Sequence, residues 1–499
     1  MSKEVLINAG AGEIRVAVVE DGKLQELFLE RTIGLHDGAA RSGHSLVGNI
    51  VLGRVRRVLT GMQAAFVDIG MERAGFLGAR EARCLAAGVD DTVKIGDCVR
   101  EGQDILVQVI KDPIGEKGAR LSANVTIPGR LVVLVPNQSG IVLSRRIEDE
   151  TERVRLLALG ETMITQGGAR LVAGAGYILR TSASQATLTD LTQDAERLAQ
   201  VWHTVVARRW AVTIPATLYH DLGPVERALR DVVRGETSRV LLDDAAAAEA
   251  ACAYCRSAMP DAEIKIELFA GPGALFDLYN LEEEIDRLSG PRVPLASGGW
   301  ITIEGTEALT AVDVNSGSFT DSTGLEETGL KVNLEAADEI GRQLRLRGVG
   351  GLIVVDFIHL DEPANVQRVL EVLAASLAKD HTPTQISPMS EFGLVEITRK
   401  RVRDPLVKLT SESCQSCSGQ GRKHTSHSVA LEVLRGIERA AHAAPGKAIR
   451  ARAAREVVRW FDDHGDEIRA ALARRGAARV EFETNDAFTR EGFDVATLA

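Results

Sequence analysis

The stretch "TAVDVNSGSF", residues 310 to 319, sets the reading of the chain. Apolar and polar residues alternate through it, and successive strand side chains point to opposite faces. A strand here places Val312 and Val314 on one side and Asp313 and Asn315 on the other, with a Ser-Gly turn to follow. A second strand is written in "GGLIVVDFIHL", residues 350 to 360, a nearly continuous apolar run of the kind covered central strands show. Asp356 interrupts it, and a carboxylate inside such a run is costly unless paired, hydrogen-bonded or metal-bound. If the two strands are neighbours, Asp313, Asn315 and Asp356 converge. Hard cations such as Mg²⁺ take a few carboxylates and complete their shell with water and phosphate oxygens. The same residues also suit a turn cap beside a structural ion pair, and the pattern leaves both open.

Working outward, "GGWITIEGTEALTAVDVNSGSF" (298 to 319) reads as a hairpin of two strands. "LEETGLKVNLEAADEIGRQLRLRG" (325 to 348) reads as a long helix ending at Gly348. Together they predict an α/β region over about 300 to 400. Toward the N-terminus, residues 4 to 30 give two strands joined at Asp21-Gly22, a strong hairpin signal. Gly and polar residues at 34 to 48 mark a boundary. Between 49 and about 124, short β runs with Gly punctuation predict a small barrel. A further β-rich piece runs to about 183, followed by helical pattern at 190 to 210. Residues 224 to 258 are Ala-rich and read as mostly helical.

The chain of 499 residues is too long for one hydrophobic core and predicts about three to five domains. Its 45% hydrophobic and 26% charged fractions are ordinary for a soluble protein. No apolar run reaches the roughly 18 residues of a membrane span, and the first residues lack a signal peptide's apolar core. A cytoplasmic location is expected. The net charge of −11 argues mildly against nucleic acid, but local basic clusters outweigh global charge. Six cysteines in such a chain do not make a disulfide framework. The Gly-rich runs at 9 to 13 and 171 to 177 lack a strand-loop-helix setting and a Walker Lys-Ser/Thr, which excludes a nucleotide-binding enzyme.

Several long motifs point the same way: "AVDVNSGSF", "NLEAADEIGRQLRLRGVGGLIVVDF", "LVEITRKR", "GNIVLGRVRRVLTGMQAAFVDIG", "KGARLS" and "CQSCSGQG". Taken in their order along the chain they resemble the ribonuclease E/G family, over residues 3 to 499, with no long C-terminal scaffold region expected. The resemblance implies a Mg²⁺-dependent endoribonuclease that cuts single-stranded RNA and leaves a 5′-phosphate and a 3′-hydroxyl. Asp313 and Asp356 would hold the Mg²⁺, and Asn315 would orient groups near the scissile phosphate. The implied architecture is multidomain α+β and α/β. It runs as an RNase H-like part (1–45), an S1, OB-type barrel (46–124), a 5′-sensor (125–214), and a second RNase H-like part (215–286). A DNase I-like catalytic domain (287–408), a zinc link (409–423) and a small C-terminal domain (424–499) follow.

By the same resemblance Phe66 and Phe76 stack on bases, with Lys117 nearby; OB-type folds bind single strands by stacking beside a positive groove. Core filling is the alternative for both rings. "YILRTSA" matches the family's 5′-end sensor, where Arg180 offers a planar fork and Thr181 a hydroxyl to a terminal monophosphate. Arg145 and Arg146 in "LSRRIE" extend that basic surface. Arg399 and Lys400 begin the run "RKRVR", suited to backbone phosphates or to a solvated face.

Cys414 and Cys417 have the C-x-x-C spacing in which two thiolates share a Zn²⁺, half of a tetrahedral site. The resemblance implies that a second subunit supplies the other half, giving a zinc-linked homodimer that can pair into a tetramer. Gln415 stands where the family pattern has Pro. His424 and His427 offer a rival closure within one chain. Cys252 and Cys255, i and i+3 in a helical context, read as small core residues. A non-catalytic RNA-binding assembly protein is the alternative function.

Overall fold

The computed structural model describes residues 3–31, 45–86, 93–113, 117–233, 237–260, 264–317, 324–380, 382–475 and 479–498. The Gly-rich boundary at 34 to 48 lies mostly outside these residues, as does the end of the opening stretch, Ser318-Phe319. The chain forms two compact units, residues 1–409 and 410–499. The architecture is mixed α+β.

The first unit contains four sheets. At the N-terminus, strands Glu13–Glu20 and Lys23–Arg31 form the expected hairpin around Asp21 and Gly22. Both turn residues have positive φ, 48° and 77°. A two-residue turn of that hand matches the strands' own twist, and Asp-Gly tolerates it. Strand Lys3–Ala9 then pairs in parallel with Thr237–Leu242, so this five-stranded sheet joins segments more than 200 residues apart. The second segment corrects the mostly helical expectation for 224 to 258. Helices Pro224–Asp231 and Ala245–Ala258 are present, but "TSRVLL" between them is a strand with its last three residues buried. Tertiary pairing overrides local helical context there.

Strands Ile50–Leu59, Ala64–Asp68, Gly75–Gly78, Arg120–Ser122 and Asp104–Lys111 pair in that order, and the last pairs back with the first. This closed five-stranded barrel is consistent with an OB/S1-like domain. Val51, Val55, Val67, Leu77, Val107 and Leu121 fill it. Residues 127–208 follow as a small four-stranded sheet under helices Glu150–Gly167 and Leu188–Arg208. Asp149 caps the first helix through the Thr151 N–H, and Thr187 and Asp190 form a reciprocal box on the second.

The six-stranded sheet has the order Arg292–Pro294, Trp300–Gly305, Thr310–Asn315, Gly351–Asp356, Leu394–Arg399, Thr384–Ile386. Helices Leu325–Arg347 and Pro363–Ala378 pack with Val312, Val314, Ile353 and Val355 in one core. The helices approach so closely that a Cβ on Gly341 would come 2.3 Å from Ser376 Oγ. The long helix ends at Gly348 in the left-handed conformation, as a Gly stop should. The opposite face of the sheet is open: Leu352 is 39% exposed and Asp356 is exposed. This corrects the doubly covered reading of "GLIVVDF". Its apolar run reflects one buried face and a thin second one, and Asp356 is not a buried acid.

The second unit packs helix Ser426–Ala443 and helices Arg455–Asp463 and Gly465–Arg474 with a three-stranded sheet. Strand Ala448–Ala453 is central, parallel to Arg479–Thr484 and antiparallel to Phe493–Thr497. No helix among the described residues is long and apolar enough to cross a membrane.

Candidate metal and RNA sites

The alternation read from residues 310 to 315 holds. Val312 and Val314 are buried, while Asp313 is exposed. Strand Thr310–Asn315 lies parallel to Gly351–Asp356, and the register sets Asp313 directly beside Asp356. Register partners share a face, so both carboxylates stand together at the C-terminal ends of adjacent strands. Asn315 Nδ2 donates to Asp313 Oδ2 at 2.7 Å, which fixes that carboxylate's orientation. Among the described residues no Lys, Arg or His forms an ion pair with Asp313 or Asp356. The ion-pair half of the alternative reading therefore lacks its cation. Two adjacent carboxylates repel unless a positive charge joins them. One or two carboxylates in an open setting are what Mg²⁺ takes, since it keeps several waters and phosphate oxygens. The donor set fits that ion.

On the barrel, Phe66 and Phe76 are register partners with rings edge-to-face, 6.0 Å between centroids at 80°. Neither belongs to the barrel core, and both are only partly buried. Core filling is thus not their role. Register extends the row: Arg57 pairs with Phe66, Arg120 with Phe76, and Lys111 with Arg120. These three cations are exposed, as is Lys117, and none has an ion-pair partner among the described residues. Sequence reasoning missed Arg57, Lys111 and Arg120. Their signal was alternation within each strand, which shows a residue's side of a strand but not which strand lies alongside.

The candidate sensor residues line a cavity of about 1450 Å³ together with Arg145, Arg146, Arg399 and Lys400. Arg180 is not free in it. Its Nη1 donates to the Gly129 carbonyl at 2.6 Å and its Nη2 to Asp231 Oδ1 at 2.8 Å. Burial raises the Asp231 carboxyl, but Arg230 and Arg180 more than offset this and hold it below the usual carboxylate range. Thr181 Oγ1 lies 3.2 Å from Ser144 Oγ. Among the described residues Arg145 and Lys400 have no hydrogen-bond or ion-pair partner at their side chains, whereas Arg146 donates to the Asp380 carbonyl.

Arg399 requires a correction. It is 6% exposed, and its guanidinium donates to Asp380 Oδ2 at 2.6 Å, the Val349 carbonyl at 2.6 Å and Thr382 Oγ1 at 3.2 Å. All three nitrogens are committed to the fold. As the last residue of its strand it points inward, while Lys400 beside it points out.

Cys414 and Cys417 sit on one turn: the Cys417 and Gly419 N–H groups both donate to the Cys414 carbonyl. The Gly421 N–H donates to Cys417 Sγ at 3.3 Å, and this bond leads the effects that lower the Cys417 pKa. A turn that favours thiolate with two sulfurs adjacent fits half of a Zn²⁺ site. The rival closure is not assembled. The His427 ring stacks on Trp460 at 5.0 Å, and no group of three or more His, Cys, Asp or Glu side chains among the described residues is placed to hold a metal. Cys255 is partly buried against the core, Cys252 is not part of that cluster, and burial pushes the Cys255 thiol up to about 11.

The Ribonuclease E/G family profile matches residues 126–402, which contain the paired acids. A second profile, RNase E/G, Thioredoxin-like domain, matches residues 413–498, the second unit. The chain belongs to the ribonuclease E/G family. It is an enzyme of that type. It is 37% identical to Ribonuclease G of Salmonella typhimurium (strain SL1344) over the full length of both chains. To Ribonuclease G of Haemophilus influenzae it is 36% identical over 99% of each. Ribonuclease E of Escherichia coli (strain K12) is 37% identical over 87% of this chain, which spans 40% of that protein.

Proposed function

We propose that this chain is a Mg²⁺-dependent endoribonuclease acting on single-stranded RNA, with a role in RNA processing and decay. The carrying observation is the in-register pair Asp313 and Asp356, with Asp313 held by Asn315 and no ion-pair partner for either acid among the described residues. A pure binding protein gains nothing from two exposed carboxylates facing a polyanion, which disfavours the non-catalytic alternative. A Mg²⁺ on the two acids supplies a bound water of lowered pKa and neutralises charge on the phosphoryl group. The products would carry a 5′-phosphate and a 3′-hydroxyl.

The chain's own groups do the rest. Asp313 and Asp356 anchor the ion, and Asn315 holds Asp313 in place. The barrel's Phe66 and Phe76, between Arg57, Arg120, Lys111 and Lys117, grip bases and backbone upstream or downstream of the cut. Arg180 and Thr181 bind a 5′-monophosphate, with Lys400 and Arg145 as exposed cations in the same cavity. In this reading the N-terminal and six-stranded sheets take the RNase H-like and DNase I-like places. Cys414 and Cys417 share one Zn²⁺ with a second copy, giving a homodimer with about half a zinc per chain, since four thiolates complete a tetrahedron.

The test is cleavage of one end-labelled single-stranded RNA, with a 5′-monophosphate or 5′-triphosphate, in Mg²⁺ or EDTA. Internal cuts that need Mg²⁺ and run faster on the monophosphate are expected. Equal rates on both ends would remove the sensor and keep the nuclease. Tight binding without cleavage would return the assembly-protein alternative.

A further inference from the structure

We propose that Trp300 and Phe392 are base-stacking platforms on either side of the scissile phosphate, so that the acidic end of the sheet also grips the flanking nucleobases. This rests on the ribonuclease reading above and deepens it.

Trp300 opens its strand and is the register partner of Asn315, one strand away from the acids. The ring is partly buried, with the Arg292 guanidinium 3.8 Å from its centroid. Its edge borders the turn after Asn315: a Cβ on Gly317 would come 3.0 Å from Trp300 Cζ3. On the other flank, Asp356 pairs with Leu394. The tight turn leading into Leu394 is closed by the Gly393 N–H to the Ser390 carbonyl at 3.0 Å and the Ser390 N–H to the Leu394 carbonyl at 2.9 Å. Phe392 sits on that turn, 86% exposed.

The four strands from Trp300 to Leu394 span three spacings, about 14 Å, with the carboxylates between the two rings. In a chain that is only 4% aromatic, both flanks of one acid pair carry a ring. Planar rings accept any base, and Arg292 adds a cation beside one of them. The open face's other acids, Glu304 and Glu396, pair with Ala311 and Val354, one pleat farther from this end. They steer a polyanion toward the strand ends, where the rings are.

The experiment measures kcat/KM in Mg²⁺ on an oligoribonucleotide with one cleavage position, and on versions abasic immediately 5′ or 3′ of the cut. Trp300→Ala and Phe392→Ala are each expected to lose about 10-fold on the full RNA, the size of one stacked base. Each should lose under about 2-fold on the RNA lacking the base its ring holds, because the partner is already gone. Trp300→Phe, which keeps a ring, should recover most of the loss, and the exposure of Phe392 makes Phe392→Ala safe for folding. Losses that simply multiply, or Ala variants as active as wild type, would overturn the proposal. A wild-type chain that cuts none of the RNAs would instead overturn the ribonuclease reading itself, and the platforms with it.

Discussion

The acidic end of the six-stranded sheet and the arginine-lined cavity are both dense in charge, but they are built on opposite terms. In the cavity, the more buried charges come with partners, Arg399 with Asp380, Arg230 with Asp231, and Arg180 with Asp231, while Arg145 and Lys400 are exposed at its surface. At the sheet end, Asp313 and Asp356 stand side by side with no ion-pair partner among the described residues. A paired buried charge keeps the fold intact, and removing one partner is expensive. An unpaired, exposed pair of like charges does nothing for the fold, so its use lies in a ligand. Substitutions should therefore separate stability from activity region by region.

The largest effect should come from Asp356→Asn or Asp313→Asn. Loss of several kcal/mol of charge stabilisation lowers cleavage by about 10³-fold. Thermal unfolding in EDTA should show the same or a higher midpoint, because the change removes carboxylate repulsion. A large drop in stability would break the comparison.

Next is Arg399→Ala, which strands Asp380 in the interior and should cost about 3–5 kcal/mol in denaturant unfolding. The same pair gives a pH dependence. Burial raises the Asp380 carboxyl, but the hydrogen bond and charge of Arg399 outweigh it, so the folded-state pKa is depressed. A depressed carboxylate contributes stability above its unfolded pKa of about 3.9 and loses it as pH falls through the lower folded value. Asp380→Asn should thus flatten the acid limb of the stability curve below about pH 4.

A smaller change is expected from Asp231→Asn. It costs stability by removing the charge partner of buried Arg230, but it also releases Arg180 from a competing carboxylate and should tighten a 5′-monophosphate oligonucleotide by a few-fold, read by fluorescence anisotropy. Arg180→Ala should abolish the difference between 5′-monophosphate and 5′-hydroxyl RNA. Unchanged binding in both variants would show that the cavity is structural throughout.

The smallest effect sharpens the contrast between neighbours. Lys400→Ala should leave stability within about 0.5 kcal/mol, while reducing the salt dependence of RNA binding by about one ion. Adjacent residues of one basic run would then have divided between fold and ligand.

Much of this was legible in the chain itself. The period-2 pattern of residues 310 to 315 gave both the strand and the face shared by Asp313 and Asn315, because side-chain alternation is a local property. Asp21-Gly22 gave its hairpin, and Gly348 its helix stop, for the same reason. The spacing of Cys414 and Cys417 likewise placed both sulfurs on one turn. What the tertiary structure decided was adjacency between segments far apart in sequence. Only strand register put Asp356 beside Asp313, aligned Arg57, Lys111 and Arg120 with the two phenylalanines, and turned "TSRVLL" into a strand against the N-terminus. Only packing showed that Asp356 faces outward and that Arg399 is buried on Asp380. Alternation says which side of a strand a residue takes, but pairing and burial are made by residues it never mentions.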